Sequence, residues 1–234
     1  MRLLITLIVL VNALSGYCAL SGKEILRNIH SNYEGLSSLE LALDYKLYRG
    51  YQSNDVLESY SSVYKRVENR SYRRIGNTEF VTVGDVSLNI NHENRNMFVS
   101  KAIAEKPLDM DVNETLKWCR DVKVKEQKEG INLRLVLAEG TDIPYAAIEV
   151  KMDKKCWIEQ VVFFYAVQVD FSGTYFDKDL DYPRLEVTYQ KVKKRYKDKE
   201  NLLSMERFIV PVNDSYVVTE LYKDYQVFDL RKKG

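Results

Sequence analysis

Histidine, cysteine, proline and glycine are all scarce in this chain of 234 residues, which has two His, three Cys, four Pro and ten Gly. His30 falls in a predicted helix and His92 in a predicted turn, and neither has a Ser or Cys partner in a recognisable nucleophile elbow. No glycine-rich phosphate loop is present. The sequence therefore predicts that the protein is not an enzyme, and it predicts no cofactor.

An excess of charge of either sign is also absent, since the formal net charge is +1. This balance argues against a nucleic-acid partner, and a hydrophobic fraction of 45% argues against disorder. Tyrosine is abundant instead. Seventeen Tyr and eight Phe favour long, aromatic-rich strands over a loop-rich fold.

Residues 1–18 have the features of a secretory signal peptide, with a basic Arg2, an apolar run from Leu3 to Leu14 and small residues near the end. Cleavage after Ser15 or Cys18 leaves small residues at the recognition positions. A lipoprotein signal ending at Cys18 is the alternative, although Tyr17 is bulky where such a signal has a small residue. We therefore expect an exported protein with a single domain at 19–234.

Cys119 and Cys156 remain if Cys18 leaves with the signal peptide. In an oxidising compartment these two residues could form a disulfide, and the other interpretation is two buried thiols. Neither has a Cys or His neighbour at the spacing of metal ligands, so no metal site is predicted.

A capped helix is predicted directly after this segment. Ser21 and Glu24 have the spacing of a capping box, and Gly35 stands where a helix can end. The apolar positions between them recur at helical spacing: Ile25, Leu26, Ile29, Tyr33 and Leu36. Asp111 and Glu114 predict a second, short helix, with Val112, Leu116 and Cys119 on one side.

Most of the remaining chain alternates apolar and polar residues as half-buried strands do. The first such stretch has Leu39, Leu41, Leu43, Tyr45 and Leu47 at every odd position, and Ile131 to Leu137 repeats the pattern. The predicted strands cover 38–49, 56–67, 70–76, 79–83, 86–91, 96–103, 121–128, 131–138, 145–152, 156–169 and 183–196, with a last hairpin of 215–222 and 223–229. The fold class is therefore α+β and mainly antiparallel. Alternation does not say whether the apolar face covers a permanent core or a bound guest.

The order of these parts resembles the LolA and LolB lipoprotein carriers of Gram-negative bacteria. The resemblance lies in the capped helix before a very long strand, Lys65-Arg66 on the second strand, hairpins around Gly84-Asp85, a mid-chain helix and a final FDLRKK. The chain departs from the family in having Val67 where Pro is usual, and in a longer ending from 201 to 229. The resemblance implies an unclosed antiparallel barrel (half-barrel) whose concave face is lidded by helices.

The resemblance also implies a ligand site between sheet and helices, which would hold a lipoprotein acyl chain or another lipid. An acyl chain needs a long apolar groove, since each buried methylene gains about 0.8 kcal/mol on leaving water. The expected lid residues are Ile25, Ile29, Tyr33 and Leu116, and Arg66 is expected to lock the lid by a hydrogen bond to it. The expected ligand-binding residues are Leu41, Leu43, Tyr45, Leu47, Tyr60, Tyr64, Leu88, Ile90, Leu133, Leu135, Phe163 and Tyr165.

In this interpretation the protein is a periplasmic monomer that exchanges its ligand with partner proteins of the inner and outer membranes. The alternative is a structural or interaction module of the envelope whose groove is filled by its own helices. A hydrolase acting on lipid or glycan is a third interpretation, which the shortage of histidine disfavours.

Overall fold

The computed structural model describes residues 20–102, 112–172, 179–213 and 215–232. The predicted signal peptide at 1–18 and the predicted helix cap Asp111 lie outside the described residues.

Two α-helices and sixteen strands make up the regular structure of these residues. The helices are α1 (Gly22–Glu34) and α2 (Val112–Lys117). The first eight strands are β1 (Ser38–Tyr48), β2 (Val56–Val67), β3 (Arg70–Ile75), β4 (Thr78–Val83), β5 (Val86–Asn91), β6 (Asn96–Lys101), β7 (Cys119–Glu126) and β8 (Gly130–Leu137). The others are β9 (Tyr145–Asp153), β10 (Ile158–Tyr165), β11 (Val169–Asp170), β12 (Leu180–Asp181), β13 (Arg184–Lys193), β14 (Ile209–Val212), β15 (Ser215–Val218) and β16 (Gln226–Asp229).

Twelve strands form one continuous sheet in the order β16-β6-β5-β4-β3-β2-β1-β13-β10-β9-β8-β7. Every pairing in it is antiparallel except that of β16 with β6, which is parallel. In the described part of the chain, β7 and β16 stand at opposite ends of the sheet and do not pair, so the sheet is open. The predicted fold class, an unclosed antiparallel barrel with helices against one face, is confirmed.

Helix α1 begins where the sequence places it. The Ser21 hydroxyl accepts from the backbone N–H of Glu24 at 3.3 Å, and the Glu24 carboxylate accepts from the backbone N–H of Ser21 at 2.8 Å. These are the two bonds of a capping box. The Ser21 hydroxyl also donates to the Glu24 carboxylate at 2.7 Å, and this bond together with that from the Ser21 backbone N–H lowers the pKa of the Glu24 carboxyl. Four apolar side chains of the helix are at most 1% exposed: Ile25, Leu26, Ile29 and Tyr33.

The sheet has a hydrophobic core on each face. The helix core lies between α1 and the face that carries Leu39, Leu41 and Leu43 of β1, which we call the helix face. The C-terminal core lies on the opposite, outer face of β3–β6, where residues such as Tyr72 and Val81 are covered by the segment 202–222. A single large sheet therefore buries different faces at its two ends.

The C-terminal segment does not form the predicted hairpin of 215–222 and 223–229. Instead β15 pairs with β14, where Asn213 has the positive φ of 54° that a tight turn needs. The chain then turns through a 3-10 helix, Glu220–Tyr222, and runs beside β6 as β16. The prediction was wrong because a turn after Val218 redirects the chain to a distant strand.

Polar contacts fasten this segment to the hairpins. The His92 ring lies between the Tyr225 hydroxyl at 2.8 Å and the Glu79 carboxylate at 3.0 Å. Glu79 is 6% exposed and also lies 3.8 Å from Arg74. His92 thus has a structural place beside the C-terminal core, where its ring lies next to Tyr222 and Tyr225.

Candidate functional site

The strand register aligns the apolar stripes into continuous rows. Residues paired across an antiparallel sheet point to the same face, and Leu47 of β1 pairs with Leu185 of β13. The row continues through strands β10, β9 and β8 by successive pairings. Its five members, which we call the mouth row, are Leu47, Leu185, Phe163, Ile148 and Leu135. Across five strands spaced about 4.8 Å apart the row extends about 19 Å.

Helix α1 covers one half of the helix face. The predicted ligand-binding residues Leu41, Leu43 and Leu133 are 3%, 8% and 0% exposed and belong to the helix core with Ile25 and Ile29. Tyr64, at 6%, belongs to the same core. From α2, Val112 is buried in it and Leu116 packs against it. In this half the apolar stripe is filled by the protein's own helices.

Burial decreases toward the mouth row. Leu135 is buried, but Leu47, Phe163, Leu185 and Ile148 are only partly buried. Next to this row Tyr60 is 39% exposed, whereas Tyr45 and Tyr165 are partly buried. The helix face therefore keeps accessible apolar surface at this end, and we call this surface, with the mouth row, the groove.

Aromatic pairs line the groove. The Tyr45 and Tyr60 rings stack with their centroids 4.8 Å apart, and Tyr145 contacts Phe163 at 4.9 Å and Tyr165 at 5.1 Å. Burial raises the pKa of the Tyr45, Tyr60 and Tyr145 hydroxyls, so all three stay neutral at physiological pH. Such uncharged amphipathic rings suit an apolar ligand with a polar end.

Arg66 reaches the end of α1 from β2. Its Nη2 donates to the carbonyl oxygen of Tyr33 at 2.7 Å and to that of Leu36 at 3.2 Å. The last carbonyls of a helix lack partners within the helix, so the guanidinium satisfies groups that would otherwise be left unpaired. The hydrogen bond that the family resemblance implies is therefore present.

Two more residues hold the same end of α1. The Asn32 amide donates to the carbonyl oxygens of Lys155 and Cys156 at 2.7 and 3.1 Å. The Tyr33 hydroxyl accepts from the backbone N–H of Ile158 at 3.3 Å, and burial raises its pKa to about 12. Movement of α1 would have to break these contacts as well as those of Arg66.

Leu88 and Ile90 do not line the groove. Leu88 pairs with Val81 and Val99, and Ile90 with Met97, so both side chains lie in the C-terminal core on the outer face. The residues of β5 that share the helix face are Ser87, Asn89 and Asn91. Assigning Leu88 and Ile90 to the ligand site was wrong, because the sheet changes its apolar face between β2 and β3.

Cys119 and Cys156 are free thiols at opposite ends of strand β8. Cys119 pairs with Leu137, whereas Cys156 follows Asp153, which pairs with Gly130. The seven residue steps between those two β8 positions correspond to about 23 Å, and a disulfide needs Cα atoms within about 7 Å. The disulfide interpretation is therefore wrong. The Cys119 thiol donates to the carbonyl oxygen of Thr115 at 3.2 Å, and burial raises the pKa of both thiols.

The groove also includes residues that the sequence reasoning did not select. Leu185 and Tyr145 lie on the helix face beside Phe163 and Tyr165, and Val187 is buried in the helix core. The alternation of Leu185, Val187 and Tyr189 is the same signal that marked β1. It could have identified β13 as a wall of the site.

In the described ranges, no group of three or more His, Cys, Asp and Glu side chains could hold a metal ion. Among the helices that the structure describes, none is long and apolar enough to cross a membrane. The chemistry that the groove offers is apolar contact with hydroxyl groups at its edge.

Comparison with known proteins gives matches at the level of structure alone. No family model matches the sequence, and no curated protein matches it. An uncharacterized conserved protein from Thermus thermophilus is similar at 13% identity and a TM-score of 0.48, over 90% of this chain and 99% of that one. A LolA superfamily protein from Nitrosomonas europaea is similar at 8% identity and a TM-score of 0.34, over 80% and 99%. LprF from Mycobacterium bovis is similar at 7% identity and a TM-score of 0.32, over 75% and 94%.

Proposed function

We propose that this protein is a non-enzymatic carrier or chaperone of the periplasm. It binds a lipoprotein acyl chain or another hydrophobic ligand in the groove and passes it between membrane partners as a monomer. The observation that carries the proposal is the mouth row, in which Leu47, Leu185 and Phe163 continue the helix core but remain partly exposed. Apolar surface arranged in a row across five strands is unusual outside a binding site.

Burial of apolar surface would favour the binding of a chain-like ligand in the groove. It borders on α1 and α2, so a guest laid along the mouth row would extend the packing that Leu43 and Leu135 begin. Each methylene that replaces water there gains about 0.8 kcal/mol. A longer guest would have to displace α1, and the helix would then act as a lid with two packing states.

Titration with a fluorescent fatty acid, followed by displacement with unlabelled palmitate, tests this function. We expect saturable binding by the natural sequence. Binding should weaken at least about tenfold in Leu47→Asp and Leu185→Asp, since each places a charge in the apolar row. Val136→Asp is the control, because Val136 is also partly buried but points to the outer face of β8. A folded protein that binds no fatty acid would overturn the proposal.

A second function is favoured by how completely α1 fills its half of the helix face. The side chains of Ile25, Ile29 and Tyr33 are at most 1% exposed. Hydrogen bonds made by Arg66, Asn32 and Tyr33 join the end of the helix to the rest of the protein. This arrangement suits a structural or interaction module of the envelope whose helices are a permanent core. Such a module would give no saturable fatty-acid binding and would keep its stability in the presence of lipid.

A further inference from the structure

A basic cleft lies on the outer face, away from the groove. It has a volume of 490 Å³ and lies where β1, β2 and the end of β13 meet the following residues, 195–200. Glu40 pairs with both Lys65 and Lys193 across the sheet, so these three side chains share the face opposite Leu39 and Leu41. The cleft and the groove therefore use different faces of the same strands.

Positive charge dominates this cleft. Five basic side chains line it, namely Lys65, Lys193, Arg195, Lys197 and Lys199, against two carboxylates, Glu40 and Glu200. Glu40 bonds Lys193 at 2.8 Å, and Glu200 lies 3.7 Å from Lys65. Within the part of the chain that the structure describes, no ion pair involves Arg195, Lys197 or Lys199. The unbalanced charge is thus concentrated on three exposed side chains.

Lys65 lines the cleft and is the least exposed of the side chains that form its ion pairs. Its side chain is 13% exposed, and its ammonium group lies over the rings of Tyr196 and Tyr72, with centroid distances of 5.1 and 5.9 Å. A lysine held in this way presents its charge from a fixed point and gives up little side-chain entropy on binding.

The nearby carboxylate of Asp198 is occupied elsewhere. It accepts from the backbone N–H groups of Leu202 and Leu203 at 2.9 and 2.7 Å, and from the Tyr196 hydroxyl at 2.9 Å. The Asp198 carboxylate is therefore engaged by backbone N–H groups and the Tyr196 hydroxyl, and among the described residues it forms no ion pair with the basic side chains that line the cleft.

We propose that this cleft binds the phosphate group of a small ligand or lipid headgroup. Phosphate offers several acceptor oxygens to Arg195, Lys197 and Lys199, and charge-assisted hydrogen bonds to phosphate are the strong ones. A concave site with a nearly buried lysine suits one entering group better than a flat acidic protein surface. The site stands independently of the groove, because no residue of the mouth row contributes to it.

Calorimetric titration with glycerol phosphate at low ionic strength tests the site, since low salt limits screening. We expect saturable binding that weakens at least about tenfold in the triple variant Arg195→Gln, Lys197→Gln, Lys199→Gln, because one hydrogen bond to a charged group is worth that much. The matched control is Lys123→Gln, Lys125→Gln, Lys128→Gln. Its three lysines are exposed on and just after the edge strand β7, and the control removes the same charge. Circular dichroism establishes that both variants are folded.

Flotation with vesicles identifies the source of the phosphate. Capture by phosphatidylglycerol vesicles that glycerol phosphate reverses supports the site with a lipid headgroup as its ligand. Absence of capture, with glycerol phosphate still bound, supports it with a soluble phosphate ester. The proposal is overturned if glycerol phosphate does not bind saturably, if both triple variants weaken binding equally, or if only an acidic peptide binds.

Discussion

Arg66 and Tyr33 join the second strand to the first helix by one short hydrogen bond. The Nη2 of Arg66 lies 2.7 Å from the carbonyl oxygen of Tyr33, in the last turn of a helix whose apolar side chains fill half of the helix face. The guanidinium group therefore helps to hold α1 against the sheet. If the groove admits a long guest by moving α1, this contact sets part of the cost of opening.

Replacing Arg66 with Met removes the donor and leaves a similar apolar stem. We expect the free energy of unfolding to fall by about 1.5–3 kcal/mol, the value of a hydrogen bond to a charged group, as measured by urea denaturation. If α1 is a lid, fatty acid should bind more tightly to Arg66→Met, because the open state becomes more populated. Arg66→Lys keeps the charge, so its free energy of unfolding should lie between those of the natural sequence and Arg66→Met. Unchanged stability in Arg66→Met would show that the contact does not hold the helix.

A substitution of Phe208 tests whether the C-terminal core and the helix core are energetically independent. Its side chain is 0% exposed in the C-terminal core, so Phe208→Ala should cost about 3–5 kcal/mol through lost burial and a cavity. Fatty-acid affinity measured on the folded fraction should be unchanged, since the groove belongs to the opposite face. A parallel loss of affinity would mean that the cores are coupled.

Asp198 gives the C-terminal segment a pH dependence. Burial opposes ionisation of this carboxyl, but its bonds to Leu203, Leu202 and Tyr196 outweigh that effect and lower its pKa. A lowered folded-state pKa contributes stability above the unfolded value of about 3.9, and this contribution is lost as the pH falls through the folded-state pKa. Asp198→Asn should therefore be less stable than the natural sequence at pH 7. We would measure the free energy of unfolding of both proteins as a function of pH. The difference between them should shrink as the pH falls below about 4, and a constant difference down to about pH 2 would contradict this explanation.

The two cysteines should react as thiols in the protein purified without reductant. Cys156 is 2% exposed, so we expect a thiol reagent to modify Cys119 first and Cys156 only after denaturation. The mass of the untreated protein should show no loss of two hydrogens. The double variant Cys119→Ser, Cys156→Ala should not differ between oxidising and reducing conditions in its denaturation midpoint, and neither should the natural sequence.

Local patterns predicted the parts of the fold that local chemistry decides. The capping box of Ser21 and Glu24 fixed the start of α1, and the odd-numbered apolar residues of β1 marked the buried face of that strand. Tyr45 and Leu47 share the face of that strand for the same reason, since they continue its alternating run, whereas Phe163 stands in a run that is apolar on both faces. The position of Arg66 at the helix end came from family resemblance and not from any pattern in the residues.

The remaining features depend on which strands meet. Alternation separates Leu88 and Ile90 from Ser87 and Asn89, but it does not say which face of the whole sheet a given set occupies. That assignment follows from the pairings through β2, β3 and β4 and from the covering by residues 202–222. The distance between Cys119 and Cys156 was likewise fixed by strand register and not by their separation along the chain.

The parallel pairing of β16 with β6 has a consequence for biogenesis. Strand β6 ends at Lys101, yet its outer neighbour is supplied only by residues 226–229. During synthesis the hairpins of β3–β6 emerge long before residues 226–229, so an unpaired strand edge is open to other chains in the meantime. Loss of the last residues by proteolysis or premature termination would leave the same edge uncovered, and aggregation through it would then compete with maturation.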